Sequence, residues 1–124
     1  MAKLTKSAED YLEAIYDLGG GKTGVRSVEI AEKLGVSRAS VNKAVNLLKE
    51  DGLLIHEHYA DLTLTSEGKA RAKEVRETHN LIYGFFTEVL GVSQKAADED
   101  ACKVEHDLSK ETLKKLKEFV KRIK

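Results

Sequence analysis

The sequence predicts a mainly α protein: a winged helix-turn-helix head followed by a second, helical module. Three observations predict it. Apolar residues recur at helical spacing over most of the 124 residues, proline is absent, and the β-prone runs are confined to residues 53–65. Charged residues at 34% and hydrophobic ones at 41% describe a soluble globular domain, not a disordered tail. The 21 Lys and Arg balance 21 Asp and Glu, so a general basic coat is excluded and any contact with nucleic acid has to come from a local patch. No apolar run approaches the roughly 20 residues of a membrane span, and the opening MAKLTKSAED lacks a signal-peptide core. The single cysteine cannot form an internal disulfide, and a free thiol fits a reducing cytoplasm, the expected location.

The first helix is expected over Ser7–Leu18, with Tyr11, Leu12, Ile15 and Tyr16 on one face and Asp10, Glu13 and Asp17 on the other. Ser7 is its expected cap, Glu9 and Asp10 suit its first turn, and Gly19-Gly20-Gly21 stops it. Ser27 is expected to cap a short second helix with Val28, Ala31 and Leu34 at spacing three. Gly35-Val36-Ser37 breaks the chain, and Ser37 caps a third helix over Arg38–Glu50. That helix buries Val41, Ala44, Val45 and Leu48 and turns Ala39, Lys43 and Asn46 outward, flanked by Ser40 and Asn42. Helix, three-residue turn beginning with Gly, helix is the spacing of a helix-turn-helix. Leu53–Glu57 and Leu62–Thr65 then form a hairpin around Tyr59-Ala60-Asp61, which in this position is a wing.

A single long helix is expected from Ser66 to Gly91, with an apolar stripe at Val75, Ile82, Phe85, Phe86 and Val89. Ser93 caps a fifth helix to Leu108, and Ser109 caps a sixth in which Leu113, Leu116, Val120 and Ile123 repeat at three and four. This is more apolar face than some fifty residues can hide alone, so the second module is expected to dimerise. The boundary is placed inside the long helix, giving a head over 1–73 and a metal-binding and dimerisation module over 74–124.

On the fifth helix Ala97, Ala101, Val104 and Leu108 face one way, and Asp98, Cys102, Glu105 and His106 the other. Cys102, Glu105 and His106 stand at i, i+3 and i+4, so a thiol, a carboxylate and an imidazole point toward one spot, as a first-row divalent metal requires. A solvated polar face is the competing reading. His79 sits in the apolar stripe of the fourth helix, either as a core histidine or as a further ligand. Asp10 and Glu13 add two carboxylates at i and i+3. His56 and His58 alternate in the wing and read as surface or DNA-backbone residues. Gly19-Gly20-Gly21 follows a helix and lacks the companion residues of a phosphate loop. A Cys102–His106 nucleophile pair has no evident oxyanion donors, so an enzyme is not expected.

The segments EDYLEAIYDL, RSVEIAEKLGVSRASVNKAVNLLKEDGLL, LTLTSEGKARA and DEDACKVEHDLS together resemble the diphtheria toxin repressor / manganese transport regulator family. The resemblance covers nearly the whole chain. It implies a metal-activated winged-helix repressor that acts as a homodimer on a double-stranded DNA operator, in the short form without an SH3-like domain. It puts Asp10, Glu13, His79, Cys102, Glu105 and His106 at the metal site. Asp10 stands where manganese-type members have aspartate, and Cys102 where iron-type members have cysteine, so the ligand set is a hybrid. The cofactor is expected to be Fe²⁺ or Mn²⁺, with Co²⁺, Ni²⁺ or Zn²⁺ as substitutes in vitro, and Cys102 binds through sulfur or through its carbonyl. The family's ancillary-site positions are held by Tyr83 and Asp98. Recognition-helix contacts map onto Ser37, Ala39, Ser40 and Lys43, with Arg26, Arg38 and Asn42 as neighbours. The alternative is a metal-independent winged-helix regulator with solvated polar faces, responding to another small ligand.

Overall fold

The computed structural model describes residues 4–20, 23–56 and 61–123. The tip of the wing, with His58, Tyr59 and Ala60, lies outside the described residues, as does the side chain of His56. Six helices and one hairpin follow in the order α1 (Lys6–Ile15), α2 (Ser27–Leu34), α3 (Arg38–Glu50), β1 (Leu54–His56), β2 (Leu62–Leu64), α4 (Ser66–Gly84), α5 (Gln94–Val104) and α6 (Lys110–Ile123). The chain divides within α4 into two compact units, Met1–Lys73 and Glu74–Lys124.

Helix ends account for most differences from the sequence-based expectation. α1 is capped by Thr5, not Ser7: Thr5 is extended, and its Oγ1 accepts from the Ala8 N–H at 3.1 Å. Beyond Ile15 the helical path is broken at Gly19, whose φ of 105° is non-helical, so the glycine run stops the helix as expected. α2 starts after Arg26, which caps without a side-chain bond, and Ser27 is already helical. The cause is Val25, whose N–H and carbonyl pair with Leu62 at 2.8 and 2.9 Å. That bridge adds a third short segment beside β2 and commits the next residue to the helix entry.

The helix-turn-helix follows its sequence closely. Gly35 ends α2 in the left-handed region (φ 66°), which a side chain rarely adopts. Ser37 then caps α3, accepting from the Ser40 N–H at 3.1 Å. β1 and β2 pair antiparallel with Leu54 opposite Leu64 and His56 opposite Leu62. Thr65 fastens the hairpin to α4: its Oγ1 donates to the Gly52 carbonyl at 2.8 Å and accepts from the Gly68 N–H at 3.0 Å. Gly68 has to be glycine, because a Cβ there would collide with the Leu53 carbonyl oxygen. The interior of this unit is apolar, built on Leu12, Ile15, Val25, Ile30, Val41, Leu48, Leu53 and Leu62. Each large side chain of this kind contributes about 1.5–3 kcal/mol by its burial.

In the second unit α4 does not run unbroken to Gly91. It ends as an α-helix at Gly84 and widens into a π-type turn over Phe85–Val89. Thr87 Oγ1 donates to the Tyr83 carbonyl at 3.0 Å, a competing bond of the kind that loosens a helical ladder. α5 is capped by Ser93 and ends at Val104 instead of Leu108. Glu105 closes it, and Glu105, His106 and Asp107 form a turn. Ser109 caps α6, accepting from the Thr112 N–H at 3.1 Å.

Candidate metal centre and nucleic-acid interface

The second unit gathers its polar residues around one imidazole. Val75 and Ile82 bury one side of α4, and His79, on the same side between them, is buried with them. Tyr83, one turn further, stacks on the His79 ring at 6.4 Å with 12° between the planes. On α5, Ala97 and Ala101 are buried, which brings the neighbouring positions 98 and 102 close to α4. Asp98 Oδ1 lies 3.0 Å from His79 Nε2, and Cys102 Sγ lies 3.7 Å from His79 Nδ1. The turn after α5 swings Glu105 inward, so that Glu105 Oε2 is 2.7 Å from His79 Nδ1. The other oxygen, Glu105 Oε1, is 3.3 Å from His106 Nε2.

Of the residues read as ligands, His79, Cys102, Glu105 and His106 therefore share one neighbourhood. The early end of α5 changes how this arises. Cys102 projects from a regular helix, whereas Glu105 and His106 reach inward from a turn. Asp98 belongs to the same cluster and was left out of the ligand set read from the sequence. His79, Asp98 and Cys102 each offer a ligand atom within 4.8 Å of the others. The signal for Asp98 was its position four residues before Cys102. Asp10 and Glu13 lie on α1 of the first unit, half-buried and one turn apart.

The donor chemistry fits a divalent first-row cation. Imidazole nitrogen, carboxylate oxygen and a thiol are the ligand types such ions take. Burying a glutamate at 7% and two histidines at 6% exposure is costly unless charge is compensated, and these are the buried polar side chains among the described residues.

The first unit presents a different surface. Val41, Val45 and Leu48 turn α3 onto the core. Ser37, Arg38, Ala39, Ser40, Asn42 and Lys43 are all exposed, so six of the seven residues read as DNA contacts lie on the open side of α3 and its cap. Arg26, also exposed, pairs with Glu29 at 3.1 Å. Such surface pairs hold weakly and release their cation readily to another anion.

Comparison with known proteins agrees with both halves. Residues 3–62 match the model of the iron dependent repressor N-terminal DNA binding domain, and residues 65–124 that of the iron dependent repressor metal binding and dimerisation domain. The chain belongs to the iron dependent repressor family. It is 36% identical over 122 residues to an HTH-type transcriptional regulator of Methanocaldococcus jannaschii, covering 98% of each chain. It is 38% identical over 116 residues to the HTH-type transcriptional regulator MntR of Bacillus subtilis, covering 94% of this chain and 81% of the relative. The structure of the manganese regulator SloR superposes with a TM-score of 0.81 at 30% identity, covering 95% of this chain and 55% of that one. The chain thus spans about half the length of that solved structure and nearly all of the first sequence relative. The family's DNA-binding part lies within the first unit with α3, and the metal-binding part, which starts at residue 65 ahead of the second unit, contains the His79 cluster. Among the described residues no helix is long and apolar enough to cross a membrane.

Proposed function

We propose that the chain is a metal-dependent, sequence-specific DNA-binding repressor that controls metal-ion homeostasis and acts as a homodimer on a double-stranded operator. The observation that carries this reading is the buried cluster around His79, in a chain whose other unit exposes the N-terminal face of a helix-turn-helix. His79, Cys102, Glu105 and His106 hold the cation, and the family resemblance adds Asp10 and Glu13 from the DNA-binding unit. Bound there, a divalent ion supplies positive charge against the carboxylates and directional bonds that draw its ligands together.

With Asp10 and Glu13 in the set, as the family resemblance implies, the ion would couple the DNA-binding unit to the metal-binding one. Two recognition helices of a dimer have to meet major grooves about 34 Å apart, or a multiple of that. In α3, Ser37 and the helix N-terminus suit a phosphate, Lys43 a guanine, Asn42 an adenine and Ala39 a thymine methyl. The decisive experiment is operator binding by the full chain with a divalent cation and with a chelator. Binding that disappears with the chelator and returns with metal supports the reading, and equal affinity in both arms overturns it.

The cognate ion is Fe²⁺ or Mn²⁺. Asp10, Glu13 and Glu105 are hard oxygen donors that suit Mn²⁺, while a thiolate favours Fe²⁺, Co²⁺ and Zn²⁺ over Mn²⁺. The contact of Cys102 Sγ with His79 supports ligation through sulfur and hence Fe²⁺. The likeness to the manganese regulator SloR supports manganese. Cys102→Glu decides between them: under anaerobic conditions the substitution shifts metal-dependent DNA binding toward Mn²⁺ if sulfur sets the preference. An unchanged Fe²⁺ to Mn²⁺ ratio makes manganese the better assignment.

A further inference from the structure

We propose that Asp98 is a positioning residue: its carboxylate holds His79 by Nε2–H, so that Nδ1 is the nitrogen presented to a cation beside Glu105 and Cys102. This rests on the metal-dependent reading above and deepens it. A neutral imidazole carries one N–H and one lone pair, and a hydrogen bond at one nitrogen decides which of them the other offers. In this chain both nitrogens have partners, but not alike. At Nδ1 stand Glu105 Oε2 at 2.7 Å and Cys102 Sγ at 3.7 Å, a carboxylate and a thiol together. Glu105 leads on to the buried His106 at 3.3 Å. At Nε2 stands Asp98 Oδ1 at 3.0 Å.

The two carboxylates also differ in setting. The Glu105 side chain is 1% exposed, and that of Asp98 is 64% exposed. Cys102 is exposed as well, so the side of the ring and not burial separates the two roles: two donors converge at Nδ1 and one group stands at Nε2. A carboxylate at the rim, one bond beyond the imidazole, is where a group that orients a ligating histidine belongs. Tyr83 flanks the same histidine, its ring nearly parallel to the imidazole at 6.4 Å between centroids. Both nitrogens face a carboxylate, and a cation at Nδ1 takes the place of the Glu105 contact there while the Nε2–H bond to Asp98 remains.

The test uses the full chain loaded with Zn²⁺, a diamagnetic ion that suits these ligand types. Long-range proton–nitrogen spectra of the histidines are expected to show His79 protonated at Nε2 and metal-bound at Nδ1. In competition with a chromophoric chelator, Asp98→Ala is expected to lower Zn²⁺ affinity about 10–100-fold with the number of bound ions unchanged. Asp98→Asn, whose amide oxygen still accepts the Nε2–H bond, is expected to recover part of that loss. Thermal unfolding of the metal-free Ala variant should match the parent, since Asp98 is exposed. Zn²⁺ on Nε2, loss of a whole ion in the Ala variant, or an unchanged affinity each overturns the proposal. Failure of the parent chain to bind Zn²⁺, Mn²⁺ or Fe²⁺ overturns the metal-dependent reading itself, whereas parent-like binding by Asp98→Ala overturns only the role of Asp98.

Discussion

The two units of this chain hold themselves together by different means. In Met1–Lys73 the buried side chains among the described residues are apolar, and those from α1, α2, α3, both strands and α4 meet in one cluster. In Glu74–Lys124 the buried apolar residues are Val75, Ile82, Ala97 and Ala101, two of them alanines. Its other buried side chains are His79, Glu105 and His106, and α6 buries no residue at all. Phe85 meets Phe119 edge-on at 6.0 Å, in a shallow groove of about 610 Å³ lined by Leu116, Thr112 and Lys115. Phe119 stays 36% exposed, Ile123 52% and Leu90 58%. The first unit meets the ordinary requirement of a domain, an apolar core large enough to offset its ordering entropy. The second spends much of its interior on ligand-type groups, so on the proposed function it is the part expected to gain most stability from a bound ion.

Breaking the first core should therefore have the largest effect, and one indifferent to metal. Leu12 is fully buried on α1. Leu12→Ala is expected to cost about 2–5 kcal/mol in urea unfolding, with and without divalent ion alike. A loss that vanished on adding metal would erase the contrast between the units.

Metal should act mostly on the second unit, which supplies four of the six proposed ligands. At a free concentration 100 times its dissociation constant, a cation that binds only the folded chain adds about 2.7 kcal/mol. His106→Ala is expected to abolish that gain while leaving the DNA-binding unit folded, as judged by calorimetry with and without Mn²⁺. An undiminished gain would remove His106 from the ligand set.

The exposed face of α3 offers a test confined to the other unit. Lys43→Ala is expected to weaken operator binding by about 1–3 kcal/mol if it reads a base, with metal affinity unchanged. Unaltered operator affinity would show that α3 does not dock by this face.

A cap in each unit gives the finest comparison. Ser37→Ala at α3 and Ser93→Ala at α5 each remove one bond to a helix N–H, from Ser40 and Ala96. Each is expected to lower metal-free stability by about 1 kcal/mol. Calorimetry of the metal-free chain checks both, and a Ser93→Ala loss much above that of Ser37→Ala would mark α5 as the weaker element.

Much of the fold could be read directly, because local chemistry left few alternatives. The turn at Gly35-Val36-Ser37 reads as helix-turn-helix from three residues alone: a left-handed position, a spacer and a hydroxyl cap. The apolar periodicity of α3 likewise indicated that Ala39, Lys43 and Asn46 would point outward, flanked by Ser40 and Asn42, while Ser37 and Arg38 entered the contact set through the family resemblance. Helix ends were less legible. Thr5 and Ser7 are both competent caps, and Ser27 was displaced because Val25 is held by Leu62, a partner 37 positions away in the chain.

The same distinction separates the parts of the candidate site. Residue types and spacing were enough to single out Cys102, Glu105 and His106, since i, i+3 and i+4 share a face in any helix. Periodicity also placed His79 in the stripe of α4. Which atoms meet was beyond any local pattern. That α5 would stop at Val104, that Glu105 would reach Nδ1 of His79 and Asp98 its Nε2, depends on how two helices pack. Periodicity constrains one helix against its own axis. The meeting of side chains 19 and 26 residues apart in sequence is settled by contacts between helices, through the small buried Ala97 and Ala101 that let α5 approach.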